Sequence, residues 1–117
     1  MEDIIKSYLN SVVDTSGYTE REYKSDNVEI TFRYNIRIES LTISHFYISE
    51  NNRRSNLGTD IYNYVLDFAI KSEMVSIFRF QIAKNESSIN WLNNMGEEYT
   101  EANMGGVGKI LEINRHV

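Results

Sequence analysis

The sequence predicts an α/β fold, a mixed α+β sheet with helices on its faces, in a single domain spanning residues 1–117. Three observations support this prediction. Apolar residues recur at helical spacing near the amino terminus, they alternate with polar residues over a long stretch that follows, and a nearly continuous apolar run comes after a second amphipathic segment. The predicted order is helix, strand, strand, helix, strand, helix, strand, strand.

The first predicted helix covers residues 1 to about 14, and Gly17 ends it or follows its end. Its apolar positions share one helical face and are Ile4, Ile5, Tyr8, Leu9, Val12 and Val13. Residues 18–26 are mostly polar and fit either a loop or an exposed edge strand. The residues themselves do not decide between these two, so both stay open.

Two antiparallel strands are predicted next. Residues 28–38 alternate between apolar and polar side chains, which is the period of a long strand with one buried face. A second strand runs from about residue 41 to 49, and a tight turn near Glu39 and Ser40 pairs it with the first. One face of the second strand is predicted to hold Leu41, Ile43, His45 and Tyr47, and the other Phe46 and Ile48.

The second half of the chain continues the pattern. A second amphipathic helix is predicted from Leu57 to about Ser72, and the apolar run from Val75 to Ala83 predicts a central strand. A short helix follows at about 86–95, with Gly96 at its carboxyl end. Two short strands are expected around 98–102 and 107–113.

Composition excludes several function classes. Lys plus Arg number 12 and Asp plus Glu 17, and this net charge of −5 disfavours nucleic acid and anionic lipid as partners. The chain has no cysteine, so it has no disulfide, no thiolate nucleophile and no Cys-based metal site; no metal is expected. No apolar run reaches the roughly 18 residues of a membrane span, and the start lacks a basic signal region, so a cytoplasmic location without membrane attachment is expected.

The segment at 48–59 carries the strongest functional signal. It leaves a strand, turns and opens a helix, and the unpaired backbone N–H groups and helix dipole at such a junction stabilise an anion such as a phosphate. Gly58 lacks a Cβ and so lets a ligand approach the backbone closely.

The residues from Arg53 to Gly58 resemble the Arg/Gln-x-x-Gly-x-Gly/Ala loop with which the GCN5-related N-acetyltransferase (GNAT) superfamily holds the pyrophosphate of acetyl-coenzyme A. Arg53 takes the first position and Gly58 the last, while Ile48 lies on the strand that pairs with the pantetheine arm in that family. A second signature of the family is similar to residues 85–96. Its Asn, small, aromatic and Gly positions match Asn85, Ser88, Trp91 and Gly96, and the resemblance covers about residues 28–117.

The resemblance implies an N-acetyltransferase with acetyl-coenzyme A as cofactor and an amine as acceptor, the amine attacking the thioester directly in a ternary complex. The cofactor-binding residues that it implies are Ile48, Arg53, Arg54, Asn56, Gly58, Thr59, Asn85, Ser88 and Trp91.

Three side chains are candidates for the chemistry. Glu50 can act as the general base, His45 is neutral or partly charged near pH 7, and Tyr47 can supply the proton for the leaving thiolate. Each also has a purely structural interpretation: Glu50 as a surface glutamate, His45 as a packed or rim histidine, and Tyr47 as an ordinary strand aromatic.

Two departures from the family pattern favour an alternative function. Asn56 replaces the first loop glycine, and Leu92 stands where many members have a tyrosine that protonates the thiolate, which leucine cannot do. The alternative is a catalytically inactive GNAT-like binding or inhibitory module that acts on a protein partner. Exposed strand edges in the carboxyl-terminal hairpin also permit a homodimer without requiring one.

Overall fold

The computed structural model of the protein describes residues 2–13, 17–49, 57–83, 100–101 and 106–112. It confirms the predicted mixed α+β fold. The elements in chain order are α1 (Glu2–Val12), β1 (Tyr18–Lys24), β2 (Val28–Asn35), β3 (Ser40–Ile48), α2 (Leu57–Lys71), β4 (Ile77–Ala83), β5 (Thr100–Glu101) and β6 (Gly106–Glu112).

The strands form one mixed six-stranded sheet in the order β1-β2-β3-β4-β6-β5. Every neighbouring pair is antiparallel except β3 and β4, which are parallel. A parallel pair needs a crossover connection, and α2 lies in the segment that joins these two strands. The central position predicted for the apolar run is confirmed, because β4 lies between β3 and β6.

The segment at 18–26, for which the sequence fits either a loop or an exposed edge strand, contains an edge strand. Residues 18–24 form β1, which pairs with β2 along its whole length, from Tyr18 opposite Asn35 to Lys24 opposite Glu29. Its side chains are mostly exposed and include Glu20, Glu22 and Lys24. A row of charges on an edge strand opposes pairing with a further strand, which explains its polar composition.

The prediction of a strand reaching residue 38 is wrong. β2 ends at Asn35, and residues 36–39 form the turn to β3. Asn35 Oδ1 accepts a hydrogen bond from the Arg37 backbone N–H at 3.0 Å, and Glu39 has a positive φ of 49°. The apolar alternation continues into this turn because Ile36 packs partly against the core, whereas Ile38 is 47% exposed.

The predicted faces of β3 are also wrong beyond Ile43. Thr31 lies opposite His45 while Phe32 lies opposite Ile43, so Ser44 is an extra residue and forms a β-bulge. The bulge inverts the alternation. Phe46 therefore joins Ile43 on the core face, where its ring lies 5.6 Å from that of Phe80, and His45 is exposed on the opposite face.

Both described helices cover the same face of the sheet. From α1, Ile5, Leu9 and Val12 are at most 1% exposed, and α2 buries Ile61, Tyr62, Val65 and Ala69. The sheet residues that meet them are Val28, Ile30, Phe32, Tyr34, Leu41, Ile43, Phe78 and Phe80. Burying one such side chain contributes about 1.5–3 kcal/mol, so this layer is the main source of stability.

The opposite face of the sheet is polar, and we call it the polar face. It carries Glu29, Thr31, Arg33 and Asn35 of β2, which alternate with the buried residues of that strand. Arg33 Nε donates to Glu20 Oε1 of β1 at 2.6 Å, and this bond raises the pKa of Arg33. Both side chains are about half exposed, so the pair contributes little to stability.

One polar group of the core is Tyr34, whose ring is fully buried. Its hydroxyl donates a hydrogen bond to the backbone carbonyl of Met74 in the turn before β4. Burial raises the pKa of Tyr34 above its ordinary value of 10.0, and the negative charge of Glu39 raises it further. The neutral phenol is therefore the form that the fold stabilises.

We expect Tyr34→Phe to lower the free energy of unfolding by about 1 kcal/mol near pH 7, because the Met74 carbonyl loses its donor. Above about pH 10 the unfolded wild-type chain releases the Tyr34 proton before the folded one does, so wild-type stability falls as pH rises. The variant lacks this contribution, and urea unfolding between about pH 7 and pH 11 should show the difference between the two proteins shrinking. If the difference in the free energy of unfolding between the two proteins does not change with pH, the raised pKa of folded Tyr34 is contradicted.

Deleting Ser44 should remove the bulge without turning Phe46 or Ile48 away from the core, because both keep their inward positions in a regular strand. We expect the free energy of unfolding to change by no more than about 1 kcal/mol. Deletion of Phe46 is the matched control. It also closes the bulge, but it turns His45 inward in place of Phe46 and so should cost about 3 kcal/mol or more in the same urea titration. Equal losses would argue against the bulge.

Candidate functional site

The parallel strands β3 and β4 separate toward their carboxyl ends. Their pairing covers Ser40–Ile43 against Ile77–Phe80, although β3 continues to Ile48 and β4 to Ala83. Beyond this point β3 stays with β2, and β4 stays paired with β6 as far as Ala83 opposite Gly106. The bulge at Ser44 begins where the parallel pairing ends, which fits its known effect of bending a strand.

The carboxyl ends of parallel strands are the usual place for ligands in open α/β sheets. Ile48 is the last residue of β3 and is 9% exposed. The strand end is fixed by Ser49, whose backbone N–H donates to the Asn27 carbonyl at 2.7 Å and whose hydroxyl donates to Asn27 Oδ1 at 3.2 Å. Ile48 is therefore held at the mouth of the separation between β3 and β4.

Gly58 and Thr59 lie in the first turn of α2, and both are partly buried. The first backbone N–H groups of a helix have no partner within it, and the helix dipole makes this end positive. Asp60 is the acidic residue of the same turn and is exposed. The helix dipole therefore favours an anion at the start of α2, whereas the negative charge of Asp60 opposes one.

His45 and Tyr47 lie together on the polar face, just past the bulge. His45 Nε2 is 3.2 Å from Glu29 Oε1, and Glu29 lies opposite Tyr47 in the strand register. His45 and Tyr47 are exposed, with 52% of the His45 side chain accessible. A carboxylate beside an imidazole orients the ring, so this pair can accept or release a proton in a defined direction.

Glu29 is not among the site residues that the sequence predicts. Predicting its position requires the strand register, because only the turn at 36–39 together with the extra residue Ser44 brings Glu29 next to His45 and Tyr47. The predicted turn near Glu39 and Ser40, with no bulge, places a different residue opposite Glu29.

Several predicted site residues lie outside the described part of the chain. They are Glu50, Arg53, Arg54, Asn56, Asn85, Ser88 and Trp91. The predicted helix at 86–95, which includes Leu92, lies outside it as well. Of the remaining predicted residues, the structure places Ile48 on the core face and His45 and Tyr47 on the polar face, so the bulge separates His45 and Tyr47 from Leu41 and Ile43, with which regular alternation groups them.

Two general properties bear on what the site can bind. Within residues 2–13, 17–49, 57–83, 100–101 and 106–112, no cluster of His, Asp and Glu is arranged to hold a metal ion. Neither α1 nor α2, the helices of the described residues, has the length and apolar character needed to cross a membrane.

Two solved structures are similar to this chain in fold. The ribosomal-protein-S18-alanine N-acetyltransferase from Escherichia coli matches with a TM-score of 0.56 and 14% identity, over 93% of this chain and 77% of that protein. Tetrahymena GCN5 matches with a TM-score of 0.55 and 14% identity, over 96% of this chain and 78% of that protein. No family model and no curated protein sequence matches the chain.

The similarity extends over nearly the whole chain, while the identity is low enough that it concerns the fold alone. This protein therefore has the GNAT-like fold, the fold of N-acetyltransferases, that its sequence motifs predict.

Proposed function

We propose that this protein binds acetyl-coenzyme A between the carboxyl ends of β3 and β4 and transfers the acetyl group to an amine. The main support for the proposal is that the pairing of β3 with β4 ends at Ile43 and Phe80, beside the Ser44 bulge, in a chain that has a GNAT-like fold. A separation between two parallel strands gives an extended ligand room to lie along the backbone of β3.

In this proposal the pyrophosphate lies at the segment leading into α2. Arg53 and Arg54 supply charge-assisted hydrogen bonds, and Gly58 and Thr59 supply the backbone of the first helical turn. Asn56 takes the place of the first loop glycine, and as an asparagine it tolerates left-handed backbone angles better than most residues.

The remaining proposed contacts are with the pantetheine arm, which leads to the thioester of the cofactor. The pantetheine arm runs along β3 at Ile48, where the strand end is held by Ser49 and Asn27. Asn85, Ser88 and Trp91 contact it from the segment after β4. These assignments are supported by the second family-like signature and by the position of β4 beside β3.

The proposed reaction is a direct acetyl transfer. The neutral amine attacks the thioester carbonyl, a C–N bond forms, the C–S bond breaks, and the thiolate takes up a proton as coenzyme A leaves. Glu50 or His45 accepts the proton of the amine, with His45 oriented by Glu29 at 3.2 Å. Tyr47, which shares the polar face with His45, is the proposed donor to the thiolate.

Calorimetric titration with acetyl-coenzyme A, and with coenzyme A as comparison, tests the cofactor assignment. We expect wild-type dissociation constants in the micromolar range, about −8 kcal/mol at 1 µM. Gly58→Leu places a bulky side chain at the start of α2 and should weaken binding by at least about tenfold. Asn63→Leu is the matched control, because Asn63 is an exposed residue of the same helix and should leave affinity unchanged.

Circular dichroism and thermal unfolding of both variants verify that they are folded. Equal affinity in wild type and Gly58→Leu would overturn the assignment of Gly58. Absence of binding by wild type, supported by absence of a thermal shift, would overturn the cofactor proposal itself.

Asn56 and Leu92 favour a second candidate function, a GNAT-like module that binds or inhibits a protein partner without catalysis. Leucine has no proton to give, so the position that Leu92 takes in the motif contributes no acid. An assay of coenzyme A release with a broad amine panel distinguishes the two functions. Turnover above background that falls at least about tenfold in His45→Ala or Glu50→Gln supports the enzyme, and no turnover with any amine supports the module.

A further inference from the structure

A groove of about 220 Å³ opens on the polar face, opposite the face that α1 and α2 cover. Its lining includes Asn35 of β2, Ser40 and Thr42 of β3, and Arg79 and Gln81 of β4. These side chains present hydroxyl, amide and guanidinium groups from three adjacent strands. The groove is therefore a polar concavity built on β2, β3 and β4.

Arg79 holds an unusual position in this groove. Its strand neighbours Phe78 and Phe80 face the core, so Arg79 projects from the polar face of a central strand. Its Nε is buried, and within the described residues that atom has no hydrogen-bond partner. An unpaired buried N–H destabilises a protein, so a polar partner for it is expected in the functional state.

The strand register shows which charges lie near Arg79. Glu20, Arg33, Thr42 and Arg79 lie directly opposite one another in a row across β1, β2, β3 and β4. Glu20 neutralises Arg33 through the 2.6 Å bond, whereas the ion pairs of the described residues do not involve Arg79. Among the residues that the structure describes, the guanidinium of Arg79 thus has no counter-charge.

These observations define the chemistry of a ligand. One unpaired guanidinium calls for one negative charge, and its Nε and Nη groups form a fork that matches a planar carboxylate. Thr42 and Gln81 beside it offer further hydrogen bonds, and Ile38, which is 47% exposed, offers an apolar contact at the rim. We propose that this groove binds the carboxylate group of a small organic acid through Arg79.

The proposal stands apart from the proposed function, because it uses none of the residues assigned to acetyl-coenzyme A and requires no cofactor. NMR titration of the wild-type protein with butyrate tests it directly. We expect saturable shifts at the Arg79 Nε–H and at the side-chain amides of Asn35 and Gln81. Butyramide, the neutral analogue, should bind at least about tenfold more weakly, and inorganic phosphate should bind more weakly than butyrate.

Two matched variants remove one positive charge each. Arg79→Met should weaken butyrate binding at least about tenfold, whereas Arg37→Met, in the exposed turn at 36–39, should leave it unchanged. Arg79→Lys keeps the charge but loses the fork, so an intermediate affinity is expected.

The titration of the wild-type protein tests carboxylate binding at Arg79 even if Arg79→Met fails to fold. No saturable shift at Arg79 overturns the proposal, as does equal binding of butyrate and butyramide. Tighter binding of phosphate overturns the choice of a carboxylate, and equal butyrate affinity in folded Arg79→Met overturns the role of Arg79.

Discussion

The pairing of β2 with β3, with Ser44 as its one extra residue, is the constraint on which the other features of this molecule depend. Before Ser44, β3 pairs with β2 on one side and β4 on the other. After it, β3 remains paired with β2, and β4 remains paired with β6. One inserted residue thus fixes where the sheet separates, which side chains enter the core and which reach the polar face.

The two faces of the sheet have different physical tasks. The core face is packed against α1 and α2, and its aromatic contacts include Tyr62 against Phe80 at 5.1 Å between ring centroids. The polar face carries charged and hydroxyl side chains from four strands and holds both the His45–Glu29 pair and the Arg79 groove. Stability therefore comes mainly from one face, which leaves the other able to carry chemistry.

The Arg79 groove extends from the paired part of β3 and β4 to Gln81, one residue past the end of their pairing, and the proposed acetyl-coenzyme A site lies farther toward the carboxyl ends of the two strands. Arg79 and Thr42 are the last opposed pair before Ile43 and Phe80, while Ile48 and the start of α2 lie beyond it. The positive charge of Arg79 in the paired region and the positive end of α2 beyond it favour anions at both places. The fold thus offers two anion-favouring positions within a chain whose net charge is −5.

Local sequence determined the elements of this protein. The helical spacing of Ile5, Leu9 and Val12 and the strict alternation from Val28 to Tyr34 each reflect one buried face, so periodicity was enough to predict α1, β2 and the mixed sheet. The motif from Arg53 to Gly58 likewise predicted the fold that the solved structures share. Tertiary structure decided the rest. An extra residue such as Ser44 has no signature in composition and becomes visible only when a partner strand defines the register. For the same reason Glu29 beside His45, and Arg79 in line with Thr42, Arg33 and Glu20, are products of strand pairing between residues far apart in the chain.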